Sequence, residues 1–168
     1  MTDAASTLMA MKALKRIPKR QGLDVLARAL AAARDYNADA EAPWLITRIF
    51  LFGSMLQPVD TVGDVDLVTE VRARYPDEDI DTLFCRERKR LEETAPSRIG
   101  SILATAQFEG PGRLQRVSPY VSVVCRMGML DQLRERGEPC LLIYAHEKLP
   151  EADRGEAAAN LARFSGTI

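Results

Sequence analysis

Between Leu23 and Tyr36 the apolar positions Leu23, Leu26, Leu30 and Ala33 recur at helical spacing while Arg28 and Arg34 fall elsewhere on the wheel, which predicts an amphipathic helix. Ahead of it Leu8, Met11 and Leu14 repeat weakly, a marginal helix that Pro18 should stop. Asn37–Pro43 is polar and alanine-rich, a connector leading to Trp44. Ile46–Phe52 is short, β-branched and aromatic and ends at Gly53, as a buried strand does when it delivers the chain to a surface turn. Asp64–Val71 alternates, with Asp64, Asp66, Val68 and Glu70 on one face and Val65, Leu67 and Thr69 on the other. It should form a second strand beside the first.

Downstream, Pro76, Asp77 and Asp79 introduce a helix whose apolar face carries Ile80, Leu83, Phe84 and Leu91, ending before Pro96. Ile102–Phe108 and Leu114–Val117 flank Glu109-Gly110-Pro111-Gly112, the pattern of a hairpin. Pro119 precedes a strand at Tyr120–Arg126, followed by a short helix at Met129–Arg136 closed by Gly137, a strand at Cys140–Ala145 and a last helix at Glu151–Phe164. Strands interleaved with helices in this order place the chain in the α/β (α+β) class, with a mixed sheet and flanking helices.

Length and composition narrow the picture. The 168 residues suit one domain with a core of its own, and 46% hydrophobic with 28% charged residues is ordinary for a folded chain. Lys and Arg number 23 against 24 Asp and Glu, so no global field favours nucleic acid or an acidic membrane; a nucleic-acid partner stays open only through a local patch such as the basic residues 8–20. Cys85, Cys125 and Cys140 are widely spaced and His146 is the lone histidine, which argues against a zinc site or a disulfide framework. No apolar run is long enough for a membrane span, and the N-terminal basic residues follow the apolar ones, the wrong order for a secretory signal, so a cytoplasmic setting is expected.

Chemistry concentrates in Leu51-Phe52-Gly53-Ser54 and Asp64-Val65-Asp66-Leu67-Val68. A glycine at a strand end lets a bulky anion reach the backbone, and the Ser54 hydroxyl can donate to phosphate oxygens. Carboxylates at i and i+2 of a strand project from one face about 6 to 7 Å apart at the backbone, close enough to flank a divalent cation. At about 4 Å two such anions repel by roughly 4 kcal/mol at an effective dielectric near 20, so one carboxyl should be held above its ordinary pKa until a cation arrives.

A hydrophobic strand, Gly-Ser, a spacer and Asp-x-Asp on the next strand make the pattern of the nucleotidyltransferase superfamily, which includes DNA polymerase beta, kanamycin nucleotidyltransferase and the minimal nucleotidyltransferases of prokaryotes. Gly53, Ser54, Asp64 and Asp66 resemble that pattern position by position, and the resemblance spans residues 44–145. It divides the chain into an N-terminal helical region, 1–43, and a nucleotidyltransferase-like unit, 44–168. What it implies is magnesium-dependent transfer of a nucleotidyl group from a nucleoside triphosphate to an acceptor, with Gly53 and Ser54 holding phosphates and Asp64 and Asp66 ligating the metal. Two departures stand out. Ser122, in Tyr120-Val121-Ser122-Val123-Val124, occupies the place of the family's third carboxylate, and serine is a poor base and a weak magnesium ligand. Glu70 cannot replace that acid, lying about 13 Å from Asp66 along the same strand; Glu109 or Asp131 could, if its element lies over the site. Pro58 shortens any helix after Ser54.

Loss of the third acid frames the alternative, a catalytically degenerate module of the same fold that works by binding a protein partner, antitoxin-like or regulatory. Elsewhere the expectations are plain: His146 at a strand end as a surface residue, and Arg86, Arg88, Lys89 and Arg90, interleaved with acids, as a solvated helix face.

Overall fold

The computed structural model describes residues 15–94, 109–126 and 128–166. The weak helical repeat at 8–14 and the first arm of the expected hairpin, 102–108, lie outside the described residues. Strand β1 is the short Ile17–Pro18, followed by helix α1 (Lys19–Ala38), β2 (Trp44–Phe52), a 3-10 turn (Gly53–Leu56), β3 (Thr61–Val62) and β4 (Val65–Ala73). Then come α2 (Ile80–Thr94), α3 (Glu109–Arg116), β5 (Val121–Val124), α4 (Met129–Glu135), β6 (Leu141–Ala145) and α5 (Glu151–Gly166). The main sheet is mixed, in the order β5-β4-β2-β6: β4 runs antiparallel to β2 and parallel to β5, and β2 runs antiparallel to β6. A second, two-stranded sheet pairs β1 with β3.

Pleating sorts the side chains of the main sheet onto two faces, each with its own apolar cluster. One face carries Ile49, Leu51, Val65, Leu67 and Val121 against Val25, Leu26, Ala29 and Leu30 of α1 and Leu114 of α3. Phe50, Val68 and Leu142 line the other, under Leu133 of α4 and Ala157 of α5. The parity of β4 puts Asp66 on this second face, beside Val68.

Helix α1 starts earlier than its apolar repeat indicates, and at Gly22 a Cβ would come within 2.7 Å of the Met55 sulfur, so the helix backbone packs directly on the Met55 side chain of the 3-10 turn. At its other end Asn37, expected in a connector, is the buried last-turn residue that clamps β2: its Nδ2 donates to Ile46 O (2.8 Å) and Tyr144 Oη (2.9 Å), and its Oδ1 accepts from Ile46 N (2.9 Å). Those bonds satisfy backbone beside the irregularity between Ile46 and Arg48, where ladder pairing with β4 shifts.

Three expectations are corrected. Ile17 and Pro18, expected at the end of a marginal helix, pair with Val62 and Thr61, and the helix begins after the proline, which suits Pro at a helix start. The hairpin's second arm is helical: 109–116 forms α3, because Gly110 packs its backbone against Tyr36, where a Cβ would approach Cε1 to 2.7 Å, and Leu114 fills the core. Arg90 does not face solvent; it pairs with Asp39 and lies over the Tyr36 ring, while Arg86 pairs with Glu78 and Arg88 with Glu92.

Candidate functional site at the Gly53–Asp66 strand ends

Where β2 ends and β4 begins, the register sets Phe52 opposite Asp66 and Leu51 opposite Leu67. The chain leaves β2 through Gly53, whose φ of 74° lies in the left-handed region that favours glycine. The same glycine backs onto the acid: a Cβ at 53 would collide with Asp66 Oδ2 and stand 3.2 Å from its Cγ. Only a residue without a side chain lets the turn and the carboxyl occupy this corner together. On the other side of β4, parallel pairing sets Ser122 level with Asp66, where its hydroxyl favours the ionised carboxyl. Met55, fully buried under α1, pins the turn from beneath.

Asp64 and Asp66 are within hydrogen-bonding reach of one another, and neither has an ion-pair partner among the described residues. Burial, reinforced by the neighbouring Asp64 charge, pushes the Asp66 carboxyl up to about 6, and the Ser122 hydroxyl pulls it partly back. Both are consequences of holding two acids at a half-buried strand end with no countercharge. Ser54 adds a second unmet demand. Its Oγ is buried with no hydrogen-bond partner among the described residues, a costly condition for a hydroxyl unless a ligand atom completes it.

Comparison with protein-family models, curated proteins and solved structures finds no match.

The chemistry of the corner therefore rests on its own atoms. The structure brings together Gly53, Asp64, Asp66 and Ser122, with Ser54 in the adjoining turn. It brings no third acid: among the described residues no three of His, Cys, Asp or Glu converge. Asp131, its side chain three-quarters exposed, lies 3.8 Å from Arg134 and lines the neighbouring cleft; the Glu109 side chain lies outside the described residues. Glu70 is engaged by Arg48 at 2.9 Å, and Arg48 also holds Asp153 at 2.7 Å. That three-residue cluster across two strands and a helix was not foreseen, although a lone arginine inside the run Trp44–Phe52 was a signal that a countercharge had to wait on a neighbouring element. His146 is likewise corrected from surface to buried, at 7% exposed: its Nδ1 accepts from Lys148 N at 3.2 Å, and burial lowers its pKa.

The donor set suits a hard divalent cation. Two carboxylates and a hydroxyl offer oxygen ligands only, and the raised Asp66 marks an anion pair that a cation would relieve. Among the described residues no lysine or arginine joins Gly53, Ser54, Asp64, Asp66 and Ser122 at this corner.

Proposed function

We propose that the chain is a magnesium-dependent nucleotidyltransferase, taking a nucleoside triphosphate at the Gly53–Ser54 turn and passing its nucleotidyl group to an acceptor. The observation that carries this reading is the packing of Asp66, with Asp64 beside it, against Gly53 with no countercharge among the described residues. Asp64 and Asp66 would hold magnesium, which when bound neutralises charge on the reacting phosphates.

The chain's own residues position and neutralise. Gly53, bare of Cβ, lets a phosphate approach the backbone of the turn, and the Ser54 Oγ finds in a phosphate oxygen the acceptor it lacks. Asp66 is aimed by Ser122 and by its packing against the turn. In the transfer, an acceptor hydroxyl oxygen bonds to the α-phosphorus, the bond from that phosphorus to the α,β-bridging oxygen breaks, and pyrophosphate leaves with the electron pair. The acceptor's proton passes to solvent. Positioning and electrostatic stabilisation supply the rate.

A second reading has its own observation. Ser122 stands level with Asp66 where the resembled pattern has its third acid, and a neutral hydroxyl neither accepts the acceptor's proton at neutral pH nor adds negative charge for a metal. This favours a module that binds triphosphate without turning it over and acts through a protein partner. Incubation with an α-labelled nucleoside triphosphate and magnesium separates the two: labelled product with release of pyrophosphate, lost in Asp64→Asn/Asp66→Asn, supports transfer. Magnesium-dependent nucleotide binding without product supports the binding module, and absence of both overturns either one.

A further inference from the structure

Beyond the two carboxylates, β4 changes character. Its pairing with β5 ends at Val68, and from Thr69 to Arg72 its outer edge borders a cleft of about 740 Å³ closed on the far side by Cys125, Arg126, Leu130 and Arg134. That volume fits one small molecule. The cleft reaches Val68, one pleat from Asp66 on the same sheet face, about 6 to 7 Å along the strand.

Charge decides what the cleft suits. Arg48, in its wall, is saturated by Glu70 and Asp153. Arg134 meets Asp131 only at 3.8 Å, both side chains mostly in solvent. Arg72 and Arg126 have no acidic partner among the described residues. The wall thus carries two unmatched guanidinium groups over a floor containing Val68 and Leu149. An uncharged nucleoside would leave both arginines unmatched, whereas a phosphate group accepts their planar forks in pairs.

We infer that this cleft is the acceptor subsite, and that the acceptor is a small molecule bearing a phosphate group, held by Arg72 and Arg126 with its reactive hydroxyl toward Asp66. Its role as an acceptor subsite rests on the transfer reading; its binding of a phosphomonoester does not.

The test titrates ribose 5-phosphate into the full chain and follows backbone amide shifts, with magnesium-ATP binding measured in parallel. Shifts at 68–72 and 125–134 are expected, with binding weakened at least tenfold in Arg72→Ala/Arg126→Ala and partly restored in Arg72→Lys/Arg126→Lys. Equal affinity in the alanine variant, equally tight binding of uncharged ribose, or shifts confined to Gly53–Leu56 overturn the subsite. A 5′-phosphorylated hexanucleotide binding more than tenfold tighter than ribose 5-phosphate overturns the small-molecule class. If the wild type holds ribose 5-phosphate but no magnesium-ATP, the transfer reading fails and the phosphate site stands; the reverse removes the phosphate site alone.

Discussion

The two ends of β4 carry acids on the same sheet face and treat them in opposite ways. At the far end Glu70 is met by Arg48 from β2, which also gathers Asp153 from α5, so the chain supplies the countercharge itself and the arginine is held more firmly protonated by both partners. At the near end Asp66 faces only Asp64 and the neutral hydroxyl of Ser122, and its carboxyl is held near 6. One strand therefore shows both solutions to a partly buried acid. Where the protein neutralises, the group fastens β2, β4 and α5 together; where it withholds the cation, the demand is left for something from outside. The contrast separates an acid that serves the fold from the acids to which the proposed function assigns a ligand.

The most severe way to break the contrast is to remove the unpaired acids. Asp64→Asn/Asp66→Asn should cut nucleotidyl transfer by about 1000-fold or more, on the order of 4 kcal/mol of transition-state stabilisation, while thermal melts show a fold at least as stable as wild type, because like-charge repulsion is gone. Gly53→Ala should come next. Its positive φ and the Asp66 carboxyl both resist a methyl group, so denaturant unfolding should show a loss of about 1 to 3 kcal/mol along with the cation response. Ser122→Asp should move the near end further from the far one: without metal a third anion lowers stability, and magnesium affinity rises at least tenfold by calorimetry. An unchanged affinity would show that position 122 does not reach the cation.

The pH dependence has a definite sign. Because the Asp66 carboxyl titrates near 6 when folded, against an ordinary 3.8, the folded chain holds more protons than the unfolded one between about pH 4 and pH 6. Its contribution makes stability fall as pH rises through that window and level off above it. Asp64→Asn should flatten the slope, and magnesium should raise the melting temperature more at pH 7 than at pH 5. The smallest effect belongs to the paired end: Glu70→Gln removes one partly exposed ion pair, should cost about 0.2 to 1 kcal/mol, and should leave magnesium affinity untouched.

Much of the sheet was legible because strand periodicity and strand-ending glycine are local signals: the alternation of 64–71 and the stop at Gly53 both correspond to what the chain forms. The juxtaposition of Gly53 with Asp66 followed from the same pattern, since adjacent antiparallel strands bring one strand's end to the next one's start. What local pattern misses is long-range compensation. Glycines at 110 and 112 around Pro111 look like a turn until the Tyr36 ring, 74 residues earlier, is packed on Gly110 and the segment is drawn into a helix. Asn37 looks like a linker residue until the Ile46 backbone needs it, and His146 looks exposed until the Thr47 carbonyl takes its backbone N–H at 2.9 Å. At the site, the pair of acids could be read in sequence but the arginine cleft could not, because Arg72, Arg126 and Arg134 meet only where β5 stops short of β4.

Carbon-13 NMR of the Asp66 side-chain carboxyl, titrated from pH 3 to pH 8 with and without saturating magnesium, addresses the central claim most directly. An apparent pKa near 6 that magnesium drives into or below the ordinary carboxylate range is the expected result. Titration at the ordinary value in both conditions, or a raised value that magnesium leaves in place, would contradict a cation-binding pair at this strand end.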